Sequence, residues 1–572
     1  MNQYKTDWLP HLEDAIPSAA YGNKLSMYLI ALEAWRRGIT VNFHNIDNPE
    51  NKVLIRYSLE FNGREYRFES SRGEKLTEEA YKSCENKDLT KKLMSKSGVA
   101  VPEGKRFEPD TDNDKILDYA KTLGYPVVLK PTDTNSGKGV FSSIRSEREL
   151  EESLVYVRNK LGYKDIIIEK HVEGREYRIL LVQGKVVGAV NRIPANIIGD
   201  GKNTIEELIK LKNKSKKGNP NISKKLINID KEVLNSISHL GYTPNSVPEE
   251  KKQILLRSKS NVSTGGDPID VTDDLPEELK IIAGKAVKSI PGLDICGLDM
   301  IVDEQNNSGT VIEINTKPML GLHIFPVAGK ARDVVKPIID YYFPETMNSK
   351  RTNLYFDLDN IIAPLNNVTT KEIRLLPPPS LEKVYAKSYK VTGDFTGTGY
   401  LSWIRQQARK NNLNGYVKKM RDGQIAIVVG GVDKEKIEEF KSLCYRGPNE
   451  ANVQEVIECD WNKTVKVGFE ILTETKAELR KELKDQSNEK NHFKKRAKTF
   501  KQKNEELQRD IERTNQKLKR LKKEKASLKS EKNKTLKEIQ LYKTKYEAII
   551  NSRSWRYTRL IRKVMSIIKR RE

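Results

Sequence analysis

Two apolar stretches place acidic and amide side chains in strand register: Gly297-Leu298-Asp299-Met300-Ile301-Val302, then Val311-Ile312-Glu313-Ile314-Asn315. In a strand, alternate side chains share a face, so Glu313 and Asn315 point the same way. The Asp299 stretch has a similar apolar pattern and is expected to form the neighbouring strand. Two carboxylates and an amide on one sheet face are all oxygen donors. Such a set suits Mg²⁺, which takes a few protein oxygens and leaves its other positions to water and phosphate. Asp299, Glu313 and Asn315 are therefore the candidate metal ligands.

Upstream, residues 127–129 read as a short buried strand with Lys130 at its end, where a fixed cation can reach a phosphate. Asn135-Ser136-Gly137-Lys138-Gly139 follows, a Gly-rich loop whose backbone N–H groups can close over phosphate oxygens. It is not a P-loop, because no GxxxxGK[ST] is present. The apolar run DIIIEKHVEGREYRILLV then carries Glu169-Lys170-His171-Val172, with Gly174 and Glu176 just beyond. A strand that exits into a linker offers free backbone groups to an adenine edge, and a carboxylate a few residues on can hold ribose hydroxyls. The candidate nucleotide contacts are thus Lys130, Ser136, Gly137, Lys138, Gly139, Glu169, Lys170, Val172 and Glu176.

The order of these parts (lysine, phosphate loop, adenine hinge with a ribose carboxylate, then Asp and Glu-x-Asn) resembles the ATP-grasp superfamily. That superfamily includes D-alanine–D-alanine ligase, glutathione synthetase and cyanophycin synthetase. The resemblance makes Asn86-Lys87, in ENKDLTKKLMSKSGVAVPEG, look like the first nucleotide lysine. Two longer stretches, NRIPANIIGDGKNTIEELI and the one ending in NVSTGGDPIDVTDD, are similar to the ATP-grasp module of cyanophycin synthetase and of the fused bacterial glutathione synthetase. The likeness runs from Asn86 to Pro344. Within it Asn261, Ser263, Thr264, Gly265 and Gly266 are candidate substrate contacts, the hydroxyls as donors and the glycines for close backbone approach. Arg192 and Arg257 can grip a carboxylate or an acyl phosphate with two N–H groups. Gly297 stands where D-alanine ligases carry an arginine, which favours the glutathione and cyanophycin branch.

The resemblance implies an ATP-dependent carboxylate–amine ligase. A substrate carboxylate attacks the γ-phosphate of ATP, and an amine captures the resulting acyl phosphate as an amide. Lys87, Lys130 and one or two Mg²⁺ (or Mn²⁺) ions on Asp299, Glu313 and Asn315 would neutralise the phosphates. Arg257, Arg192 and the backbone of the Ser-Thr-Gly-Gly turn are the candidates for holding the oxyanion of the second step. No protein nucleophile is needed. His171 and His323 are read as positional rather than catalytic.

With 572 residues the chain is too long for one domain. Its charge is uneven: residues 473–572 hold 33 Lys and Arg against 14 Asp and Glu, which is +19 of the net +24. The rest has the composition of ordinary globular protein. Four scattered cysteines show neither metal spacing nor a disulfide framework. MNQYKTDWLP lacks the layout of a signal peptide, and no run approaches the ~18 apolar residues of a membrane span. Reduced thiols and a cytoplasmic location are expected. The expected organisation is an N-terminal α/β lobe over 1–85 and an ATP-grasp domain over 86–345. A linker over 346–383 follows, marked by Pro377-Pro378-Pro379, and then a second α/β domain over 384–472.

The stretch from 384 to 472 reads strand, helix, strand, strand, helix, strand. Its sequence resembles acylphosphatase, a ferredoxin-like α/β sandwich. That family uses an arginine after a GxGF turn and an asparagine in a VRN strand. Here Gly397-Thr398-Gly399-Tyr400 is followed by Leu401, and Val417-Lys418 by Lys419. Leucine cannot bind phosphate, and lysine cannot orient water as a neutral amide does, so the hydrolase activity is expected to be lost.

From Leu479 onward, apolar residues alternate by four and three through Leu507, Ile511, Leu518, Leu521 and Leu528 to Ile549. About ten heptads predict a long coiled coil over 473–550, with polar seam residues such as Asn504 weakening it or fixing its register. Self-association or a partner protein is expected. The last segment, 551–572, sets an apolar stripe (Leu560, Ile561, Val564, Met565, Ile567, Ile568) among eight basic residues. Such a helix suits an anionic membrane surface or an anionic polymer. Its Ser-x-Ser-Trp-Arg-x-Thr turn resembles the tails of bacterial glycosyltransferases. Nucleic acid is set aside, for want of aromatics and of a nucleic-acid fold. These readings place the ligase on the inner face of the membrane, in synthesis or decoration of an anionic envelope polymer. The alternative is a non-catalytic ATP-binding scaffold that organises glycosyltransferases through its coil. The intact Lys87, Lys130, Asp299, Glu313 and Asn315 argue against it.

Overall fold

A computed structural model describes residues 8–46, 54–132, 139–366, 369–420, 422–472 and 474–569. The chain divides into two compact units, Met1–Leu472 and Thr473–Glu572.

The helix Leu25–Arg36 (LSMYLIALEAWR) has no continuous polar face, and all its residues are buried. A helix of that kind has to be covered on every side. It packs on the antiparallel sheet that contains Thr40–Ile46, Leu54–Phe61, Arg64–Glu69 and Arg72–Gly73, and on the helix Val335–Tyr342. Most polar groups in and just after it are paired, Arg36 Nη2 excepted. Arg36 donates to the carbonyls of Leu354 and His11, while Arg37 meets Glu33 and Asp340.

The sheet's other edge strand is Glu372–Leu375, which runs antiparallel to Thr40–Ile46 with Leu375 opposite Val41. Residues 346–383 are therefore not the linker expected of them. Phe356 stands edge-on to Tyr28 and Trp35, and Asp359–Leu365 is a helix whose Ile361, Ile362 and Leu365 join the same core. The triple proline lies outside regular structure but only locally. Nor do residues 1–85 stand apart as a lobe, because their core also takes in Leu320, Ile338 and Phe343.

Two further sheets carry the candidate site. One is four-stranded, in the order Gly104–Phe107, Ile166–Lys170, Val127–Pro131, Phe141–Ile144, backed by the helices Asn113–Leu123 and Glu147–Val155. The other is five-stranded and antiparallel: Asp267–Asp270, Lys185–Ile193, Arg175–Val182, Ile295–Asp303, Ser308–Asn315. The helix Glu277–Lys288 covers it, burying Leu279, Ala283 and Val287 against Ile179, Leu298 and Met300. Each of the larger aliphatics contributes roughly 1.5–3 kcal/mol when fully buried.

Residues 385–460 form strand, helix, strand, strand, helix, strand, in the sheet order Asn452–Asp460, Tyr385–Asp394, Ile425–Gly431, Asn414–Lys419. Phe469–Leu472 adds a fifth strand parallel to Asn414–Lys419. The helices Tyr400–Lys410 and Lys434–Arg446 bury Ile404, Ala408, Ile437 and Phe440 in that domain's core. Leu401 packs partly against the same core, and Lys419 is exposed at its strand end.

The second unit is the helix Glu474–Asn551, followed by short helices Arg553–Tyr557 and Arg559–Ile568. No helix among the described residues is long and apolar enough to cross a membrane. The four cysteines are free thiols.

Candidate functional site

Glu169 sits in the second position of its four-stranded sheet and is 2% exposed. A carboxylate that far from water needs a cation, and two lysines supply it. Lys130 Nζ lies 2.7 Å from one carboxylate oxygen, and Lys91 Nζ contacts the other. Lys91 arrives on the helix Lys87–Lys96, whose N-terminus is capped by Asn86. Burial lowers the pKa of both lysines, and the crowding of the two ammonium groups pulls Lys91 down further. Lys91 was not singled out in the sequence, although it follows Lys87 by one helical turn and shares its face. Lys87 itself lines a cleft of about 280 Å³ together with Asn86, Arg106 and Thr132.

The side chains of the hinge are placed differently from what was expected. Glu169 points at the two lysines, and Lys170, on the opposite strand face, donates to the carbonyl of Gly124 at 2.8 Å. Neither side chain is left to grip a base, so only the backbone of residues 169–172 remains for that role. Ser136, Gly137 and Lys138 lie outside the described residues, and Gly139 follows them just before the strand Phe141–Ile144.

On the five-stranded sheet the expected pairing of acidic strands is present. Asp299 lies directly opposite Glu313, and Gly297 opposite Asn315. A register shift follows between Asp299 and Met300, the kind of bulge that re-aims side chains next to a site. Two carboxylates facing each other across strands repel. Arg178, opposite Asp299 on the other side, relieves this by donating Nε and Nη2 to the two Asp299 oxygens, the latter at 2.8 Å. Arg192 adds a contact to Asp299 at 3.1 Å and also pairs with Glu176. Burial alone would raise the Asp299 pKa, but the two guanidinium groups more than offset it and hold it below the usual value.

Arg178 is a second residue the sequence reading missed. It also explains Gly297: a Cβ there would lie 3.3 Å from the Arg178 Cδ and Nη1 atoms. The place of a side chain at position 297 is taken by an arginine from the adjacent strand. His323, 1% exposed, lies near Arg178, and burial followed by that arginine lowers its pKa to about 3. That keeps its imidazole neutral at neutral pH.

Arg257 does not join this group. Its guanidinium pairs with Asp230 at 2.5 Å and with Glu232, tying the segment after the short strand Gln253–Leu255 to the helix Lys231–His239. Arg257 therefore acts here as a structural clamp rather than as a free oxyanion donor. Asn261 caps the turn Val262–Thr264 by accepting from the Ser263 N–H and hydroxyl at 2.9 and 2.7 Å. Gly265 has φ 107°, and a Cβ there would meet the Ile227 side chain at 2.6 Å. The two glycines are used for close packing within the chain.

Asp299, Glu313 and Asn315 fit Mg²⁺ by chemistry. They offer two carboxylates and an amide oxygen on adjacent strands, and Mg²⁺ bound with phosphates needs only one or two carboxylates from the protein. Among the described residues no cluster of three His, Cys, Asp or Glu side chains forms a self-sufficient metal cage.

Residues 109–237 match the family model described as prokaryotic glutathione synthetase, ATP-grasp domain. The chain carries an ATP-grasp domain. Residues 387–471 match the acylphosphatase family model, so an acylphosphatase-like domain follows it. Cyanophycin synthetase from Trichormus variabilis is 33% identical over 321 residues, covering 55% of this chain and 34% of that protein. The glutathione biosynthesis bifunctional protein GshAB from Desulfotalea psychrophila is 31% identical over 325 residues, covering 55% of this chain and 41% of its own. The crystal structure of a bifunctional glutathione synthetase from Pasteurella multocida is 26% identical with a TM-score of 0.41, covering 55% and 44% of the two chains. The chain thus spans well under half the length of the curated relatives it matches. What it shares with them is the ATP-grasp module.

Proposed function

We propose that this protein is an ATP-dependent carboxylate–amine ligase that forms an amide through an acyl phosphate. The observation that carries the reading is the convergence of Lys130, from one sheet, and Lys91, from the helix Lys87–Lys96, on buried Glu169, together with an arginine-clamped Asp299–Glu313 strand pair in the other sheet. Polyphosphate needs the first, and Mg²⁺ together with an attacking carboxylate needs the second.

In this reading Lys91 and Lys130 turn from Glu169 to phosphate oxygens, Lys87 borders the entrance, and the backbone of residues 169–172 borders the base. Asp299, Glu313 and Asn315 would hold Mg²⁺, which when bound neutralises charge on the phosphates. Arg178 and Arg192, on the same sheet face, hold the acid and then the acyl phosphate for the amine through the N–H groups that Asp299 and Glu176 leave unused, Nη1 of Arg178 and Nε of Arg192. Phosphoryl transfer to the carboxylate releases ADP, and attack by the amine forms the C–N bond and releases phosphate. Calorimetry with Mg·ATP and a coupled ADP-release assay over a panel of amino acids and short peptides test this on the full chain. Glu313→Ala should abolish turnover without unfolding the protein. A wild-type protein that binds no Mg·ATP would defeat the reading.

We further propose, on separate grounds, that the second unit anchors the ligase at an anionic envelope polymer or at the inner membrane face. The support is the helix Arg559–Ile568, whose Leu560, Ile561, Val564, Met565 and Ile568 are exposed between basic residues. The seam residues Ile511, Leu518, Leu521 and Leu528 are exposed as well, which suits self-association of the long helix.

A further inference from the structure

Residues 219–225 (Asn-Pro-Asn-Ile-Ser-Lys-Lys) form a turn between the short helix Gly321–Ile324 and the turn at Val262–Gly265. On one side, a Cβ at Gly321, just after the Asn315 strand, would come within 2.9 Å of Asn221 Oδ1. On the other side the turn leads into Ile227, which packs on Gly265 of the Ser-Thr-Gly-Gly turn. Asn219 pins the turn by accepting from the Asn221 and Ile222 N–H groups and donating to the carbonyl of Phe325.

Two polar groups on this turn are buried without a partner, and a third, on half-buried Lys225, lacks a counter-ion among the described residues. Asn221 is 2% exposed, yet its Nδ2 has no acceptor. The Ser223 hydroxyl is also buried and unpartnered. Lys225 forms no ion pair among the described residues, and its Nζ only reaches Asn221 Oδ1 at 3.5 Å. Lysine is a donor only, so this contact orients the Asn221 amide and leaves its N–H₂ group as the orphan. The neighbouring Lys216 adds more positive charge, its own carboxylate, Asp267, being shared with Lys212. Burial, and then Lys216, lowers the Lys225 pKa to about 8. Buried donors normally have acceptors, and a buried ammonium normally has a counter-ion. An acceptor that carries negative charge would satisfy all three groups at once.

We infer that Asn221, Ser223 and Lys225 form a subsite for a carboxylate of the substrates, distinct from the candidate phosphate-binding lysines Lys91 and Lys130. The choice of a carboxylate rests on the ligase reading, in which both substrates can carry one: the acid as a second carboxylate, and an amino acid or peptide used as the amine. One amide, one hydroxyl and one ammonium match the charge and size of a single carboxylate. Lys225 is in this view a specificity residue, and its uncompensated charge is the cost of keeping the subsite ready.

The test is competitive acetylation of the full-length protein with acetic anhydride at pH 8, read at Lys225 by peptide mass spectrometry. Each rate is normalised to that of exposed Lys96 in the same tube. Succinate serves as an acid without an amine, glycine as an amine with one carboxylate, and glycinamide as the control. Succinate or glycine should slow Lys225 labelling at least about fivefold, the level of a mostly occupied site, and glycinamide should not. Protection by succinate alone assigns the subsite to the acid, and protection by glycine alone assigns it to the amine substrate. Asn221→Asp places a carboxylate beside Lys225 from within the chain, so it should abolish protection by either probe while leaving the fold intact. Absence of protection by both carboxylates, equal protection by glycinamide, or persistent protection in Asn221→Asp would overturn the inference. Failure of the ligase reading would appear elsewhere, as absent Mg·ATP binding with Lys225 still protected.

Discussion

Replacing Lys225 by methionine should stabilise the protein at neutral pH, against the usual effect of changing a buried side chain. Lys225 carries a charge with no counter-ion among the described residues, and its pKa has fallen from 10.5 to about 8. At about 1.4 kcal/mol for each tenfold loss of proton affinity, keeping that ammonium charged costs roughly 3 kcal/mol. Allowing for the part of the side chain that reaches water, about 2 kcal/mol is expected. The sign follows from linkage. The unfolded chain binds the proton more tightly, so wild-type stability rises as pH climbs from about 8 towards 10.5, and the penalty is complete below pH 8. Methionine keeps most of the volume without the charge. The apparent thermal midpoint of Lys225→Met should therefore exceed that of wild type by about 2 °C at pH 7, and the gap should close by about pH 10.5. Scanning calorimetry at both pH values measures this. A variant that is less stable than wild type at pH 7, or a gap that does not change with pH, would show that Lys225 is compensated after all.

Glu169→Gln leaves Lys91 and Lys130 buried without their shared carboxylate, so stability should fall by roughly 3–5 kcal/mol. A saturating Mg·ATP analogue should restore part of it, because the phosphates replace the lost charge; a thermal shift with and without nucleotide shows both effects. In a Glu313→Ala background, benzoyl phosphate hydrolysis should stay at background, since Leu401 and Lys419 hold the two positions where acylphosphatases act. Leu401→Arg with Lys419→Asn should raise it measurably. The C-terminal helix should co-sediment with anionic vesicles at low salt and be released as salt screens its charges, each basic residue contributing up to about 1 kcal/mol. Ile561→Asp with Ile568→Asp should weaken that binding even at low salt, and equal binding to neutral vesicles would remove the electrostatic account.

The sequence by itself determined those features that a local pattern encodes. Strand alternation put Asp299 beside the Glu313–Asn315 pair, because side-chain direction repeats every two residues whatever the surroundings. The alternation of strands and helices over 384–472 and the long charged helix after 473 were legible for the same reason. The triple proline misled, because proline reports on the local backbone and not on whether the apolar residues around it, such as Phe356 and Ile362, find a distant core.

Only the tertiary structure decided how charges are shared. Glu169 reads as part of an adenine hinge until Lys91 and Lys130 arrive from other elements and claim its carboxylate. Arg257 reads as an oxyanion donor until Asp230 and Glu232 occupy its guanidinium. Arg178 carries no motif, and its importance appears only when the adjacent strand brings Asp299 opposite it and Gly297 leaves it room. A buried charge is defined by the partners that burial brings to it, and those partners lie far away in the chain. For Lys225 no such partner arrives among the described residues, and that lack cannot be read from any stretch of sequence.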